Sequence, residues 1–268
     1  MQILVRFLTA ALLGLLEGIT EWLPISSTGH LILLEQVVPL EVSQSFWEVF
    51  QVVIQLGAIL AVPCLYPKRL FPLGPRQARR QVYLLWGQVA LAVVPSAVVG
   101  LLLDDRLQPL FRPDTVAWML VLYGIAFLAV EGALARGKLS RKRVISFPVA
   151  LGIGLFQCLS LIPGTSRSGA TILGALLLGI SREEGANFSF FLAIPTMAGA
   201  GLLKLAKFFL RGGSFSTLEC LLLLTGCLTA FLVSLLVIRA LTDFLKGRSF
   251  VPFAWYRIAL GTVLLLLK

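Results

Sequence analysis

The sequence predicts an all-α polytopic membrane protein with inverted-topology repeats, in which two re-entrant (broken) helix hairpins meet near the membrane midplane. Three observations predict it. Of 268 residues, 58% are hydrophobic and 13% charged, and the mean hydropathy is +0.92. A soluble domain is about half apolar and about a quarter charged. The polar residues here could not cover so much apolar surface, which excludes a soluble enzyme, a disordered chain and a fibrous protein. Secondly, two apolar segments are too short to span and are broken by Pro and Gly, the pattern of discontinuous helices. Thirdly, the chain repeats weakly at an offset of about 140 residues. It reads as a single membrane domain over 1–268, with repeat one about 1–135 and repeat two about 144–268.

The apolar segments fall at about 3–20, 22–35, 46–66, 82–103, 115–135, 144–162, 168–180, 187–210, 218–241 and 250–267. Segment 3–20 imitates a signal peptide weakly, but Glu17 closes its apolar run without a convincing cleavage site, so it is expected to stay as the first helix. Segments 22–35 and 168–180 are the short, broken pieces. The remainder approach the roughly 20 residues a span needs.

Basic residues set the expected orientation. The net charge of +10 comes from 23 Lys and Arg against 13 Asp and Glu. In a soluble protein that excess would suggest nucleic acid. Here it reads as topology, and no nucleic-acid partner is expected. Loop 67–80 carries Lys68, Arg69, Arg76, Arg79 and Arg80 without an acid. Loop 136–143 carries Arg136, Lys138, Arg141, Lys142 and Arg143, also without one. Two spans separate them, and loop 104–114 between has no basic excess. The acid-free loops therefore belong in the cytoplasm, and 104–114 and 36–45 outside. Cys64, Cys158, Cys220 and Cys227 lie in or beside apolar stretches and read as packing residues.

The repeat aligns Gly14–Thr20 with Gly154–Ser160, and Ser26, Thr28 and Gly29 with Ser166, Ser168 and Gly169. Each copy has a helix, a polar break with Pro, a Ser/Thr/Gly cluster and a short helix. The charge rule makes the copies enter from opposite sides, and broken helices of inverted repeats form sites near the midplane.

Ionisable residues within apolar segments are costly and point to function by default. Glu17, Glu21, His30 and Arg167 stand out, all in the repeat copies. Glu17 and Glu21 share a helix face. They can hold a divalent cation through oxygen, one can act as base, or both can sit at an interfacial helix end. His30, the only histidine, follows the hydroxyl-rich turn Pro24–Gly29. It reads as structural or, folded back past Pro24, as catalytic. The sharpest signal is Pro163–Thr171, with Gly164, Ser166, Arg167, Ser168, Gly169 and Thr171. A helix start offers free N–H groups and a positive dipole end, and Arg adds a fork matched to phosphate. A plain capped helix with a snorkelling Arg is the alternative. Together the parts suit phosphoryl chemistry on a lipid with an anionic head.

Glu17-Gly18-Ile19-Thr20-Glu21, running on through Trp22–His30, and Pro163-Gly164-Thr165-Ser166-Arg167-Ser168-Gly169-Ala170-Thr171 closely resemble the two signature motifs of the bacterial undecaprenyl-diphosphatase family, the bacitracin-resistance proteins. The second motif is specific, and the likeness covers essentially the whole chain. The resemblance implies hydrolysis of undecaprenyl diphosphate to undecaprenyl phosphate and inorganic phosphate. That would recycle the carrier for peptidoglycan and confer bacitracin resistance. It further implies a multi-pass protein of the bacterial inner (cytoplasmic) membrane with an outward-facing site, a divalent cation (Mg²⁺ or Ca²⁺), and partners limited to the polyprenyl diphosphate and membrane lipids, with a homodimer left open. Catalytic positions map onto Glu21, Ser27, His30 and Arg167, and metal positions onto Glu17 and Glu21. Diphosphate-binding positions map onto Ser26, Thr28, Gly164, Ser166, Arg167, Ser168, Gly169 and Thr171. The expected nucleophile is His30 or Ser27, or water attacks directly. His30, one helical turn on, is the expected base for Ser27. Transport of the lipid phosphate is the competing reading, because broken inverted repeats are common in transporters.

Overall fold

The computed structural model describes residues 2–137 and 144–266. Lys138, Arg141, Lys142 and Arg143, whose charges enter the topology expectation, lie outside the described residues. Twelve α-helices follow one another among the described residues. They are α1 (Gln2–Thr20), α2 (Ser27–Val37), α3 (Gln44–Ile59), α4 (Ala61–Leu65), α5 (Pro67–Leu70) and α6 (Arg76–Leu107). Then come α7 (Pro113–Ala135), α8 (Phe147–Gln157), α9 (Arg167–Leu177), α10 (Arg182–Leu210), α11 (Thr217–Leu245) and α12 (Val251–Leu266). Short 3-10 turns occupy Gln108–Leu110 and Cys158–Leu161.

Six helical stretches among these residues are long and apolar enough to cross a membrane: Gln2–Thr20, Gln44–Leu65, Arg76–Leu103, Pro113–Ala135, Arg182–Leu210 and Thr217–Leu245. Leu102, Leu224 and Leu236 on these helices face outward, each more than half exposed. Such a surface suits lipid rather than water. The protein is therefore a multi-pass membrane protein. Inside, Trp22, Phe127, Phe188, Phe190 and Phe191 form a dry core.

The helices depart from the apolar segments in instructive ways. The second segment starts helical at Ser27 rather than at 22, because Glu21–Ile25 turn around Pro24. The third is α3 followed by the short α4, and α5 lies in the basic loop beyond it. Helix α6 extends past its apolar stretch at both ends, into Arg76–Arg80 and as far as Leu107, so much of the expected outer loop 104–114 is helix. Arg is a good helix former wherever packing does not decide. Helix α11 likewise runs on to Leu245.

The pairings exchange between the two halves. α1 packs on α11 as α8 packs on α6, α3 on α11 as α10 on α6, and α7 pairs with α12. The α7–α12 seam is reciprocal. A Cβ on Gly124 would lie 2.8 Å from the Ala254 carbonyl oxygen, and one on Gly261 would lie 2.7 Å from that of Ala117. Gly14 of α1 meets the Gly226 carbonyl of α11 just as Gly154 of α8 meets that of Ala92 in α6. Small residues let backbones approach where lipid gives no hydrophobic drive between helices. Gly124→Val should lower the melting temperature of the purified protein in detergent, since overpacking costs about 1–3 kcal/mol. Gly132→Ala, with nothing within 4 Å of the added Cβ, should melt like the parent; equal melting of both variants would contradict the tight seam.

A buried ion pair ties three helices together elsewhere. Glu131 of α7 accepts from Arg182 Nε at 2.8 Å, and from the Phe250 backbone N–H at 2.9 Å just before α12. All four described cysteines are free thiols.

Candidate active site

Both short helices begin in the same unusual way. Ser26 (φ 76°) and Ser166 (φ 74°) are the only non-glycine residues with positive φ among those described. Each is an N-cap, its Oγ accepting from the backbone N–H three residues on, Gly29 at 3.3 Å and Gly169 at 3.0 Å. Such backbone costs of order 1–3 kcal/mol and clusters at functional sites. It places Ser27 and Arg167 at the first position of their helices, one opening α2 and the other α9.

These two first positions meet at Glu21. Ser27 Oγ donates to Glu21 Oε2 at 2.6 Å, and Arg167 Nη2 donates to Glu21 Oε1 at 2.9 Å. Arg167 and Glu21 are 10% and 6% exposed, so the pair is withdrawn from water. From α10, the Ser189 carbonyl and hydroxyl accept from Arg167 Nη1 at 2.7 and 3.1 Å. Arg167 Nε is buried without a partner, a donor left over for an anionic oxygen. Glu17 lies one turn before Glu21, whose N–H donates to its carbonyl at 3.0 Å. The Glu17 carboxylate is fully buried beside that of Glu21, and neither of its oxygens has a hydrogen-bond partner.

His30 is hydrogen-bonded through both ring nitrogens to groups other than Ser27. Its Nδ1 lies 2.7 Å from the Ser26 carbonyl oxygen, which can only accept, so Nδ1 carries the proton. Its Nε2 lies 2.7 Å from the Tyr256 hydroxyl. The group that Ser27 Oγ contacts is the Glu21 carboxylate, whereas the hydrogen bonds of His30 run to Ser26 and Tyr256. The reason is geometric: the Ser26 cap turns the imidazole back onto its own first turn.

Four of the hydroxyls expected to bind diphosphate, those of Ser26, Ser166, Ser168 and Thr171, make hydrogen bonds within the protein. Ser26 and Ser166 cap their helices. Ser168 Oγ donates to the Glu21 and Leu23 carbonyls, at 3.0 and 3.1 Å, stitching the second loop to the first. Thr171 Oγ1 lies 2.9 Å from the Arg167 carbonyl and 2.7 Å from Ser189 Oγ. These groups hold Arg167 and Glu21 in place. Thr28 stands half-buried beside Ser27. Gly164 turns with φ 89° against Val116, and Gly169 lies under the α9 cap.

Sequence reasoning missed Ser189, Tyr256 and Arg257. Arg257 is fully buried. It donates to the carbonyls of Pro24 (2.8 Å), Gly164 (2.9 Å), Thr165 (3.1 Å), Met119 (3.2 Å) and Leu120 (3.4 Å), so it spans both motif loops and α7. An Arg amid the apolar run 250–267 was the available signal. Ser189 had none, since a serine in an apolar helix is ordinary.

Residues 10–263 match the sequence profile of the family described as bacitracin resistance protein BacA. The chain belongs to the BacA family. The matched span includes every residue of the Glu17–Glu21–Ser27–Arg167 cluster and the α12 pair behind it. Relatives of this BacA-family chain match it over nearly their whole length. An undecaprenyl-diphosphatase of Enterococcus faecalis is 48% identical over 262 residues, covering 96% of this chain and 95% of its own. That of Streptococcus thermophilus is 50% identical over 270 residues, covering 98% and 94%. That of Lactiplantibacillus plantarum is 48% identical over 262 residues, covering 96% and 95%.

Proposed function

We propose that the protein hydrolyses undecaprenyl diphosphate to undecaprenyl phosphate and inorganic phosphate, with Ser27 as nucleophile. The carrying observation is the 2.6 Å hydrogen bond from Ser27 Oγ to Glu21: a nucleophile in contact with its base. The names of the relatives supply the substrate. Arg167, with its spare Nε and the start of α9, receives the terminal phosphate. Ser27 Oγ attacks that phosphorus and its proton passes to Glu21. The anhydride bond breaks and undecaprenyl phosphate departs as an anion needing no protonation. Arg167 offsets the charge that develops on the equatorial oxygens. Water then breaks the Ser27 O–P bond and inorganic phosphate leaves. The Glu21 proton returns to Oγ and the second proton of the water goes to solvent.

Glu17 and Glu21 fit a divalent cation, Mg²⁺ or Ca²⁺. Two buried oxygens without partners on Glu17, next to a second carboxylate, form a hard, all-oxygen donor set. No group of three or more His, Cys, Asp or Glu among the described residues could complete a shell, so substrate phosphate would share the ion, as is usual for Mg²⁺. A bound ion would neutralise charge on the phosphate oxygens. Chelation should abolish phosphate release by the purified protein, and Glu17→Gln should raise the Mg²⁺ concentration for half-activity about tenfold or more. An unchanged Mg²⁺ titration in that variant would remove Glu17 from the metal site.

The reciprocal α7–α12 seam, the exchanged α1–α11 and α8–α6 pairs, and the matched Ser26 and Ser166 caps support inverted repeats whose broken helices meet within the membrane. With the basic loop 67–80 in the cytoplasm, we place the protein in the bacterial cell membrane with the site facing outward. There it would recycle the wall-polymer carrier and confer bacitracin resistance. The two-fold arrangement also favours a second reading, movement of the lipid phosphate between leaflets. Release of phosphate from a polyprenyl diphosphate by purified protein in detergent tests the first reading. Lipid transfer in vesicles without phosphate release would favour the second.

A further inference from the structure

Helix α12 enters the site twice, at two adjacent residues. Arg257 makes five hydrogen bonds to backbone carbonyls of α7 and both motif loops, and its guanidinium lies 5.4 Å from the centre of the Tyr123 ring. The buried guanidinium fixes the height and rotation of α12 against the loops. Tyr256, the preceding residue, therefore reaches His30 from a rigid support. The two rings are within 7° of parallel, with centroids 5.7 Å apart, and the phenol oxygen lies 2.7 Å from Nε2.

The protonation pattern follows from these contacts. Because Nδ1–H donates to the Ser26 carbonyl, a neutral imidazole carries its lone pair on Nε2, and the Tyr256 O–H donates to it. Both nitrogens are then engaged, and the ring is held by one bond on each side. Tyr256 is partly exposed (44%), so the pair sits at the edge of the site.

We propose that Tyr256 is a positioning residue for the reaction: it holds the His30 ring, whose Nδ1–H holds the Ser26 carbonyl, and so fixes the turn that presents Ser27 to Glu21. The inference rests on the phosphatase reading for its catalytic consequence, but not for its spectroscopic one. His30 is the only histidine, so ring-¹⁵N histidine labelling of the full chain in detergent gives a single imidazole to observe. The wild type is expected to give one protonated nitrogen, Nδ1, and one hydrogen-bonded bare nitrogen, Nε2. Tyr256→Phe keeps the ring and should fold; an unchanged melting temperature checks this. That variant should move the Nε2 resonance toward that of a free lone pair and lower kcat about tenfold with KM within about twofold. A wild-type tautomer protonated on Nε2, a resonance that Tyr256→Phe leaves unmoved, or an unchanged kcat would each overturn the proposal. If the protein releases no phosphate at all, the phosphatase reading fails, and the resonances still report whether Tyr256 holds His30.

Discussion

Arg167→Ala is expected to lower kcat/KM for a polyprenyl diphosphate about a thousandfold or more. Removing a single donor to developing charge typically costs about 10²–10³ in rate. Here a second loss adds to it. Arg167 is bound to Glu21 at 2.9 Å in a nearly water-free setting, and breaking such a pair leaves an uncompensated buried carboxylate, a cost of about 3–5 kcal/mol. The variant therefore loses both the phosphate fork and the alignment of the base. Arg167→Lys should recover little. One ammonium cannot serve the Ser189 carbonyl, Glu21 and a phosphate oxygen in the planar geometry that the guanidinium offers. Phosphate release by purified protein measures both variants, and a value for Arg167→Ala within tenfold of the wild type would place the phosphate elsewhere.

Ser27→Ala and Glu21→Gln should each reduce turnover about 10²–10⁴-fold, the range for losing a nucleophile's general base. The double variant is the sharper comparison. Residues that act as one unit are strongly non-additive, so Ser27→Ala with Glu21→Gln should be no slower than the worse single variant. Glu21→Gln keeps the side-chain volume and can still accept from Arg167, so its loss reports chemistry more than packing. Multiplying losses in the double variant would indicate that the two residues serve separate steps.

Much of the architecture was legible because a membrane imposes few solutions. Apolar runs of span length, acid-free basic loops and polar breaks at Pro24 and Pro163 each have a direct physical reading. The Ser26–Gly29 and Ser166–Gly169 correspondence was visible as spacing, and it reappears as two positive-φ serine caps of the same hydrogen-bond pattern. Other features depended on direction, which a sequence does not carry. Ser168 and Thr171 look like phosphate ligands by type, yet their hydroxyls face protein carbonyls and Ser189. His30 stands one turn from Ser27, yet the positive φ of Ser26 turns it toward the Ser26 carbonyl and α12. Arg257 was readable in principle as a charge inside an apolar run. The ends of α6 and α11 ran beyond the apolar limits because hydropathy marks the membrane, whereas helices continue until a backbone stop.

A Ser27 nucleophile activated by Glu21 must pass through a covalent phosphoserine. Single-turnover reaction with a substrate labelled in the terminal phosphate, quenched in acid, should leave label on the protein. That label should resist acid and hydroxylamine, map to Ser27, and be absent from Ser27→Ala. An acid-labile label on His30, or turnover with no covalent phosphate at any time, would contradict a Ser27 nucleophile.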